Sequence, residues 1–471
     1  MLKVVKTSKS SGPDGIPPKL IKEFAYELSS PLTDVLNCSF KEGVVPHQWR
    51  SAIVVPIPKQ FPPSIDKMRP ISLTDIFAKI AEGFIAKWVV QDIQDSIDIN
   101  QFGNIQGVST AHYLLNLTHF LFQGADKPKN IGTVVLTDFS KAFDLVNHSI
   151  AIQKLIALGV RGTIVPWICS FLNDRRQCVR YNQTVSNYLP LCAGVPQGTK
   201  LGPITFQAVI NDAAESCYSH YWKYVDDLTF AENRSSSESS NLQADLDGFL
   251  DWSVTNQLKL NPAKCQAMQM CFMQDPPPHP DLKIGPSQLS FASSAKILGI
   301  WLQDDLKWDT QIDHMCKNAN KRLFMLRSLK RFGFHTSELV TVYRGYIRPL
   351  LEYSDVIWHC ALTSKLALKL ERVQKRALRI ILGPSFISYR NALDVCNFDY
   401  LSARREQHSL KFAQSLAECS RTKRLLPACR GQAHGRQLRN NAKLTQPRAR
   451  TNRYAESPIP YYVKLINSDL P

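Results

Sequence analysis

The sequence lacks long apolar runs, paired cysteine motifs and an excess of acidic residues. No apolar stretch approaches the roughly 18 residues that span a bilayer, which argues against an integral membrane protein. Residues 1–6 contain no apolar segment of the kind that signal peptides carry, so we do not expect secretion. The 12 cysteines include no Cys-x-x-Cys, and the closest pair is Cys265 and Cys271. This scatter excludes a zinc motif or a disulfide framework and favours a reducing compartment.

Positive charge is the strongest compositional bias of the chain. The 57 Lys and Arg outnumber the 40 Asp and Glu, giving a net charge of +17. Residues 401–471 hold 14 basic and 4 acidic residues, so they carry +10 of that total. Such an excess favours a polyanionic partner such as nucleic acid, although a solvated tail that aids solubility explains the charge equally well. The hydrophobic fraction of 44% excludes an intrinsically disordered chain.

Hydrophobic periodicity predicts several local elements, in a chain long enough for two to four domains. The clearest are a helix after Pro17 that carries Leu20, Phe24 and Leu28, a buried strand at 51–57, a strand at 133–136 that leads to Asp138, and a hairpin at 223–230 with Asp226 and Asp227 at its turn. Strands interspersed with helices, followed by a mainly helical last third, predict an α+β fold.

Residues 364–382 predict an amphipathic helix. Its apolar stripe consists of Leu366, Leu370, Val373, Ala377 and Ile381. A second stripe consists of the cations Lys369, Arg372, Arg376 and Arg379. One face can therefore pack against the protein while the other meets phosphate groups.

The candidate chemistry lies in Asp138 and the pair Asp226-Asp227. The dipeptide Asp-Asp occurs twice, at 226–227 and 304–305, so the pair alone is uninformative, and by themselves these acids are better explained as turn residues. Carboxylates clustered at strand ends repel one another unless a cation lies among them, and their oxygens suit Mg²⁺. Two such ions can activate an attacking hydroxyl and stabilise a leaving phosphate oxygen.

Motifs around these acids change that interpretation. In chain order they are KSSGPDGIP at 9–17, RPISL at 69–73, TDFSKAFD at 137–144, GVPQGTKLGP at 194–203, YVDD at 224–227, LKLNPAK at 258–264, LGI at 298–300 and LERVQKRAL at 370–378. Together they resemble the reverse transcriptases of non-LTR (LINE-type, jockey-like) retrotransposons, and the resemblance extends over nearly the whole chain.

The resemblance implies an α+β right-hand polymerase with a basic C-terminal extension. The expected divisions are fingers at 1–130, a palm with the catalytic motifs at 131–303, a helical thumb at 304–400, and an RNA- or DNA-binding extension at 401–471. The implied reaction is RNA-directed DNA synthesis, in which dNTPs are added to a primer 3′-hydroxyl. The implied partners are an RNA template and a DNA primer or target DNA, in the nucleus and cytoplasm of the cell.

The resemblance also assigns roles to individual residues. Asp138 and Asp226 match the ligands shared by two Mg²⁺ ions (Mn²⁺ being an alternative), with the carbonyl of Phe139 an additional ligand and Asp227 contributing less directly. Residues expected at the nucleotide are Lys59 and Arg69 on the triphosphate, Gln197 in a turn beside the template–nucleotide pair, Phe143 beneath the sugar, and Lys264 as proton donor to the pyrophosphate. The simpler alternatives are that Lys59 and Arg69 are exposed loop cations and that the turn at Gln197 is a plain loop. Phe143 would then be a core aromatic residue and Lys264 a solvated lysine.

Three departures and two rival functions accompany this assignment. Gly103-Asn104-Ile105 stands where the family usually has Gly-Phe-Arg, Thr199-Lys200 replaces the commoner Ser followed by an aliphatic residue, and the chain contains no endonuclease domain, Cys/His knuckle or ribonuclease H motif. We therefore expect a polymerase module or a truncated copy.

A non-enzymatic nucleic-acid-binding remnant is one rival function. Another palm enzyme, such as an RNA polymerase or a nucleotide cyclase, is the second, and the motifs at 69–73 and 194–203 argue against it.

Overall fold

The computed structural model describes residues 1–431 and 441–469. The α-helices in these ranges are Pro18–Glu23, Ser29–Glu42, Ile76–Ile93, Thr110–Asp126, His148–Ala157, Val165–Leu172, Leu201–Val209, Leu242–Thr255, Asp309–Arg331, Thr336–Val342, Arg348–Glu352, Asp355–Trp358, Ser364–Leu382, Tyr389–Cys396, Leu401–Ser415, Ser420–Lys423, Asn452–Ala455 and Pro458–Asp469. None of them is long and apolar enough to cross a membrane.

The strands form two sheets and two short ribbons. In chain order they are β1 Ser51–Pro58, β2 Met68–Leu73, β3 Asn130–Thr137, β4 Arg175–Tyr181, β5 Thr184–Val185, β6 Leu189–Leu191, β7 His220–Tyr224, β8 Asp227–Ser235, β9 Gln266–Cys271, β10 Lys283–Ile284, β11 Ser287–Gln288, β12 Ser290–Phe291, β13 Ser294–Ile297 and β14 Ile300–Gln303. The expected strands at 51–57 and 133–136 and the hairpin at 223–230 are confirmed.

The first sheet is the expected palm, with strand order β12-β9-β3-β8-β7. β3 is central because its residues are apolar on both faces and nearly all are buried. Val134 packs into a cluster that includes helix Thr110–Asp126, whereas Val135 packs on the other side into a cluster that includes Phe249 of helix Leu242–Thr255. Helices therefore cover both faces of the sheet, and its strand ends remain available for a site.

The second sheet draws strands from both sides of the expected boundary at residue 130. β1 pairs antiparallel with β2 and parallel with β4, which lies within the range expected for the palm. Helix Thr110–Asp126, expected in the fingers, packs against β3 and β7 of the palm sheet. The division into 1–130 and 131–303 thus stays a proposal about functional parts, and packing crosses it in both directions.

The predicted helix at 364–382 is confirmed as Ser364–Leu382, and its apolar stripe is buried as expected. It packs against helix Asp309–Arg331 in the expected thumb. The helix after Pro17 also forms, but it ends at Glu23. Pro18 and Ile21 are its buried residues, while Leu20 and Phe24 are 47% and 50% exposed. The apolar spacing thus predicted the helix but not the face that packs.

The described parts of the extension, residues 401–431 and 441–469, pack against the expected thumb and palm. Helix Leu401–Ser415 packs against helix Pro458–Asp469, and the Tyr462 hydroxyl donates a hydrogen bond to the carbonyl of Val356. Arg405 is fully buried, and the guanidinium of Arg421 donates to the carbonyl of Gln101 at 2.8 Å. Part of the basic charge is therefore structural. Residues 432–440, which include Arg436 and Arg439, lie outside the described ranges.

A buried ion pair joins palm strand β7 to the segment before helix Thr110–Asp126. The Lys223 ammonium lies 2.7 Å from Asp98 Oδ2 and donates to the carbonyls of Ile210 and Asn211. Burial lowers the pKa of Lys223, and the Asp98 charge opposes that shift. Asp98 and the two carbonyls therefore offset part of the cost of burying the Lys223 ammonium group.

We expect Asp98→Asn to lower the free energy of unfolding by about 3 kcal/mol, because it leaves the buried ammonium uncompensated. The amide retains the shape of the carboxyl group, so packing stays the same. The control is Glu23→Gln, which removes the ion pair between Lys19 and Glu23, whose side chains are 75% and 60% exposed. The control should cost less than about 0.5 kcal/mol. Equal losses for the two variants in urea titrations would contradict this account.

Candidate active site

The three catalytic candidates lie at one end of the palm sheet. Asp226 is in the two-residue turn between β7 and β8, and Asp227 begins β8. Asp138 directly follows β3, whose last residue, Thr137, pairs with Leu228. The Thr137 hydroxyl donates to the Leu228 carbonyl at 2.9 Å, which fixes the register at this point. The hairpin and β3 therefore bring three carboxyl groups together, as the sequence predicted.

The turn that carries Asp226 is held by residues that the motifs did not identify. Gln101 is buried, and its side-chain oxygen accepts hydrogen bonds from the backbone N–H groups of Val225, at 3.1 Å, and Gly103, at 2.8 Å. A Cβ at Gly103 would lie 2.5 Å from a Val225 methyl carbon, so only glycine permits this approach. Gly103 stood out in the sequence only as part of a departure from the family pattern.

Desolvation and repulsion disfavour the charged forms of Asp226 and Asp227. Burial raises the pKa of Asp226, the Asp138 charge raises it further, and the ammonium groups of Lys59 and Lys264 oppose the shift. Asp227 has an exposed side chain, and desolvation by the surrounding protein together with the charges of Asp226 and Asp138 raises its pKa to about 7. Additional positive charge at this strand end would therefore be stabilising.

The 258–264 loop contacts Asp138 directly. Lys264 Nζ lies 2.9 Å from Asp138 Oδ2, and the Asn261 backbone N–H donates to the Asp138 carbonyl at 2.8 Å. Phe139 pairs with Leu260 in an isolated bridge whose two hydrogen bonds do not use the Phe139 carbonyl. Lys264 thus lies at the carboxylates, as the sequence suggested, and Asn261 is an additional positioning residue.

The oxygen atoms at this strand end are the hard donors that Mg²⁺ prefers. Desolvation and the neighbouring carboxyl charges raise the pKa of Asp226 and Asp227, and a divalent cation nearby would oppose that shift. In the part of the chain that the structure describes, no three His, Cys, Asp or Glu side chains form a ready-made metal-binding group. The donor chemistry fits a cation, while the carboxyl groups are not arranged as a preformed cage.

The fingers residues expected at the triphosphate approach the site from β1 and β2. The Lys59 backbone N–H donates to the Lys67 carbonyl at 2.8 Å, closing the loop between these strands, and the Lys59 side chain is exposed. Its charge acts on Asp226, so the two are close. Arg69 is exposed on β2, opposite Ile57.

The turn that contains Gln197 is clamped onto β2. The Ser72 backbone N–H donates to the Gln197 carbonyl at 2.7 Å, and Gln197 Nε2 lies 3.3 Å from Asp144 Oδ1. Gly198 has φ +111°, and a Cβ there would lie 3.0 Å from the Ser72 carbonyl oxygen. This glycine therefore permits close contact with the fingers sheet, in addition to any approach to a nucleotide.

The helix that follows this turn is held by buried Glu82, which the motifs also missed. Its carboxyl group accepts a 2.6 Å hydrogen bond from the N–H of Leu201 at the start of the helix.

Phe143 lies between the core and the cleft. Its ring stacks on buried Phe206 with centroids 4.8 Å apart and planes inclined by 22°. The Phe143 carbonyl accepts from the Val195 N–H at 2.8 Å, which ties it to the Gln197 turn. The side chain is only half-buried, so one face packs against the core and the remaining surface is available to a ligand.

The cations of helix Ser364–Leu382 already have neighbours within the thumb. Lys369 pairs with Asp313, Arg376 donates to the Asn320 amide oxygen at 3.0 Å, and Arg379 lies over the ring of Phe386. Arg372 is exposed and has no ion pair or hydrogen bond to other described residues. The predicted stripe therefore exists as one helix face, but three of its members serve the thumb as well.

We expect Asp227→Asn to stabilise the protein against heat at pH 8, in EDTA, and to have no such effect at pH 4. The raised pKa means that the unfolded chain loses this proton between about pH 4 and pH 7 while the folded chain retains it. The free energy of unfolding of the wild type therefore decreases as the pH rises through that interval. The variant has no carboxyl group at this position and does not show this decrease. Asp251→Asn, on an exposed part of helix Leu242–Thr255, is the control. Equal shifts in Tm at both pH values would contradict the prediction.

Comparison with known proteins supports the same family. Residues 57–302 match the family described as "Reverse transcriptase (RNA-dependent DNA polymerase)". The chain is 27% identical over 451 residues to "Probable RNA-directed DNA polymerase from transposon BS" of Drosophila melanogaster, covering 91% of this chain and 49% of that protein. It is 25% identical over 391 residues to "RNA-directed DNA polymerase from mobile element jockey" of the same organism, covering 80% and 42%.

The chain thus spans about half the length of these relatives. Among solved structures, it overlaps "Structure of apo telomerase from Candida Tropicalis truncated from C-terminal domain" with a TM-score of 0.38 and 12% identity, over 63% of this chain and 61% of that chain. That overlap is too loose for a comparison of the two folds.

The resemblance to jockey-like non-LTR elements and its α+β right-hand fold class are confirmed. With more than half of its residues within the matched region, the chain belongs to the reverse transcriptase (RNA-dependent DNA polymerase) family.

Proposed function

We propose that this chain is the polymerase region of a non-LTR retrotransposon protein and copies RNA into DNA by extending a primer 3′-hydroxyl with dNTPs. The observation that carries the proposal is the convergence of Asp138, Asp226 and Asp227 at one strand end, in a chain of this family. The alternative, a nucleic-acid-binding remnant without activity, is disfavoured because all three acids are intact and Gln101 holds their turn.

Members of the reverse transcriptase family generally depend on divalent metal ions. We propose two Mg²⁺ ions, with Mn²⁺ as an alternative, held by Asp138 and Asp226 with help from the Phe139 carbonyl and, less directly, Asp227. When bound, such ions lower the pKa of an attacking hydroxyl and stabilise charge on a leaving phosphate oxygen. The pKa shifts of Asp226 and Asp227 support this assignment, because added positive charge relieves their repulsion.

The remaining roles fall to side chains around the carboxyl groups. Lys59 and Arg69 would hold the triphosphate from the fingers side, as a point charge and a planar fork. Lys264 would donate a proton to the departing pyrophosphate, and its ammonium group, 2.9 Å from Asp138 Oδ2, lies beside the proposed metal ligands. Gln197 would contact the template–nucleotide pair from its clamped turn, and its link to β2 supports a role that couples fingers to palm.

The proposed nucleic-acid partners rest on the same family resemblance as the proposed reaction. We propose an RNA template, with nicked chromosomal DNA as primer and target, which requires work in the nucleus as well as the cytoplasm. Lys369, Arg372, Arg376 and Arg379 would contact phosphates from the thumb. The exposed guanidinium of Arg372 has the strongest support, since the other three side chains already have neighbours within the thumb.

We expect Asp226→Asn and Asp138→Asn each to abolish primer extension while leaving template binding near the wild-type level. An amide oxygen keeps the shape of the carboxylate but cannot neutralise a cation. Removal of such a group costs orders of magnitude in rate, because transition-state charge is then unsupported. The measurement is extension of a DNA primer on RNA and DNA templates with dNTPs or ribonucleotides, together with template affinity.

The control for this experiment is Asp251→Asn, which removes an exposed carboxylate on helix Leu242–Thr255. It should extend primers at the wild-type rate. Wild-type turnover in either active-site variant would contradict the metal assignment. Binding of template without extension by the wild-type protein under all metal and nucleotide conditions would instead favour the remnant.

We expect Phe143→Val to raise ribonucleotide incorporation relative to dNTP incorporation. The exposed part of the ring would lie against the 2′ edge of the incoming sugar, and a misplacement of about 1 Å can cost roughly a hundredfold in rate. If Phe143 serves only to pack on Phe206, the variant should lower stability and depress both activities together. The measurement is matched single-nucleotide incorporation by the wild type and the variant, and an unchanged ratio would exclude Phe143 as the sugar gate.

A further inference from the structure

A cavity of about 870 Å³ opens at the palm edge, away from the carboxylates. Its walls are the start of β7, helix Thr110–Asp126 and parts of the extension at 424–459. His220 begins β7, whereas Tyr224 pairs with Asp227 at the catalytic turn. The four-residue separation along a strand amounts to about 13 Å, so the cavity is distinct from the candidate active site.

Aromatic rings form one wall of this cavity. Tyr218 is 79% exposed and His220 is also exposed, although both are near the hydrophobic palm sheet. Phe120 packs against His220, with ring centroids 4.4 Å apart, and its centroid lies 5.4 Å from that of buried Trp222. Tyr218 lines the same cavity. Partly exposed rings of this kind are suited to stacking on a nucleobase.

The charge of the lining favours an anion. The described residues that line the cavity include Arg424 and Arg448, both exposed, and no Asp or Glu. Arg424 donates to the Asn100 side-chain oxygen at 3.2 Å, which holds it at the mouth. Burial lowers the pKa of His220, and the Arg424 charge lowers it further, so the guanidinium is near the ring platform.

The adjoining groove differs in charge. It shares Phe120, Tyr218 and His220 with the cavity and has a volume of about 1090 Å³. Its lining adds three acids and two cations, Asp126, Glu232, Glu238, Lys127 and Arg234, and it shares Arg448 with the cavity. The groove therefore carries charges of both signs, whereas the charged residues described in the cavity lining are arginines alone, so an anionic ligand is favoured in the cavity.

We propose that this cavity binds a nucleobase together with its phosphate, supplied by single-stranded RNA. Its volume lies within the range of roughly 300–1,000 Å³ that accommodates small-molecule ligands. Tyr218 and His220 would stack on the base, and Arg424 and Arg448 would bind flanking phosphates. Binding at this site requires no polymerase activity, so this proposal can be tested independently of the proposed reaction.

The test uses the full chain with its polymerase cleft saturated by an unlabelled primer–template duplex. The probe is a fluorescein-labelled oligouridylate of about eight nucleotides, within the site sizes of single-strand-binding proteins. We expect Tyr218→Ala to weaken binding about tenfold, as the loss of one stacking contact does. We expect Arg424→Gln to reduce the slope of log K against log salt by about 0.7, the value for one phosphate contact on a single strand.

The matched controls are Tyr26→Ala, which removes an 83% exposed tyrosine in the fingers, and Lys19→Gln, which removes a 75% exposed cation. Both should bind the probe like the wild type. Asp226→Asn should also bind it normally, because the cavity does not contain the catalytic turn. Melting temperatures of all variants establish that each remains folded.

Two further arms identify the source of the ligand. Competition by adenosine monophosphate alone would assign the cavity to free nucleotides, whereas competition only by unlabelled oligonucleotide would support a strand. Replacing the RNA probe with oligodeoxyuridylate shows whether the site distinguishes ribose from deoxyribose. Wild-type affinity and salt slope in both Tyr218→Ala and Arg424→Gln would overturn the proposal.

Discussion

Electrostatic repulsion among three carboxyl groups is the constraint on which the rest of the site depends. The ladder between β3 and β8 brings Asp138 beside Asp226 and Asp227, and desolvation raises the cost of charging Asp226 and Asp227. Two lysines from distant parts of the chain, Lys59 and Lys264, reduce that cost. A protein that keeps such an arrangement at the end of its central sheet is built to attract cations.

The geometry of this strand end is maintained from outside the palm. Gln101 and Gly103 hold the turn before Asp226, and they lie between helices Ile76–Ile93 and Thr110–Asp126, within the range expected for the fingers. Ser72 of β2 holds the Gln197 turn by a backbone hydrogen bond. Residues from the expected fingers thus support the strand end that carries the candidate acids, and packing crosses the expected division at residue 130.

Local patterns in the sequence were sufficient for the elements and for the acids. The hairpin at 223–230 and the helix at 364–382 were predictable because their periodicity and turn lie within a few residues of one another. The role of Gln101 was not predictable, because its contact with Val225 spans 124 residues and carries no local signal.

The basic extension shows a second limit of such prediction. Charge in the sequence suggests exposure, yet Arg421 is buried because backbone carbonyls of Ile97, Asp98 and Gln101 accept its hydrogen bonds. The face that packs in the first helix was also hidden, since Ile21 and Leu20 are equally apolar.

The contact between Arg421 and Gln101 links residues 320 positions apart in the chain. Gln101 also holds the turn of Asp226, so the last support of that turn arrives late in synthesis. A ribosome that adds roughly 5–20 residues per second needs about 10–40 s to proceed from residue 226 to residue 421. Lys264, which contacts Asp138, is added early in that interval, and Arg421 at its end. The fold therefore completes the support of this turn only after residue 421 has been made.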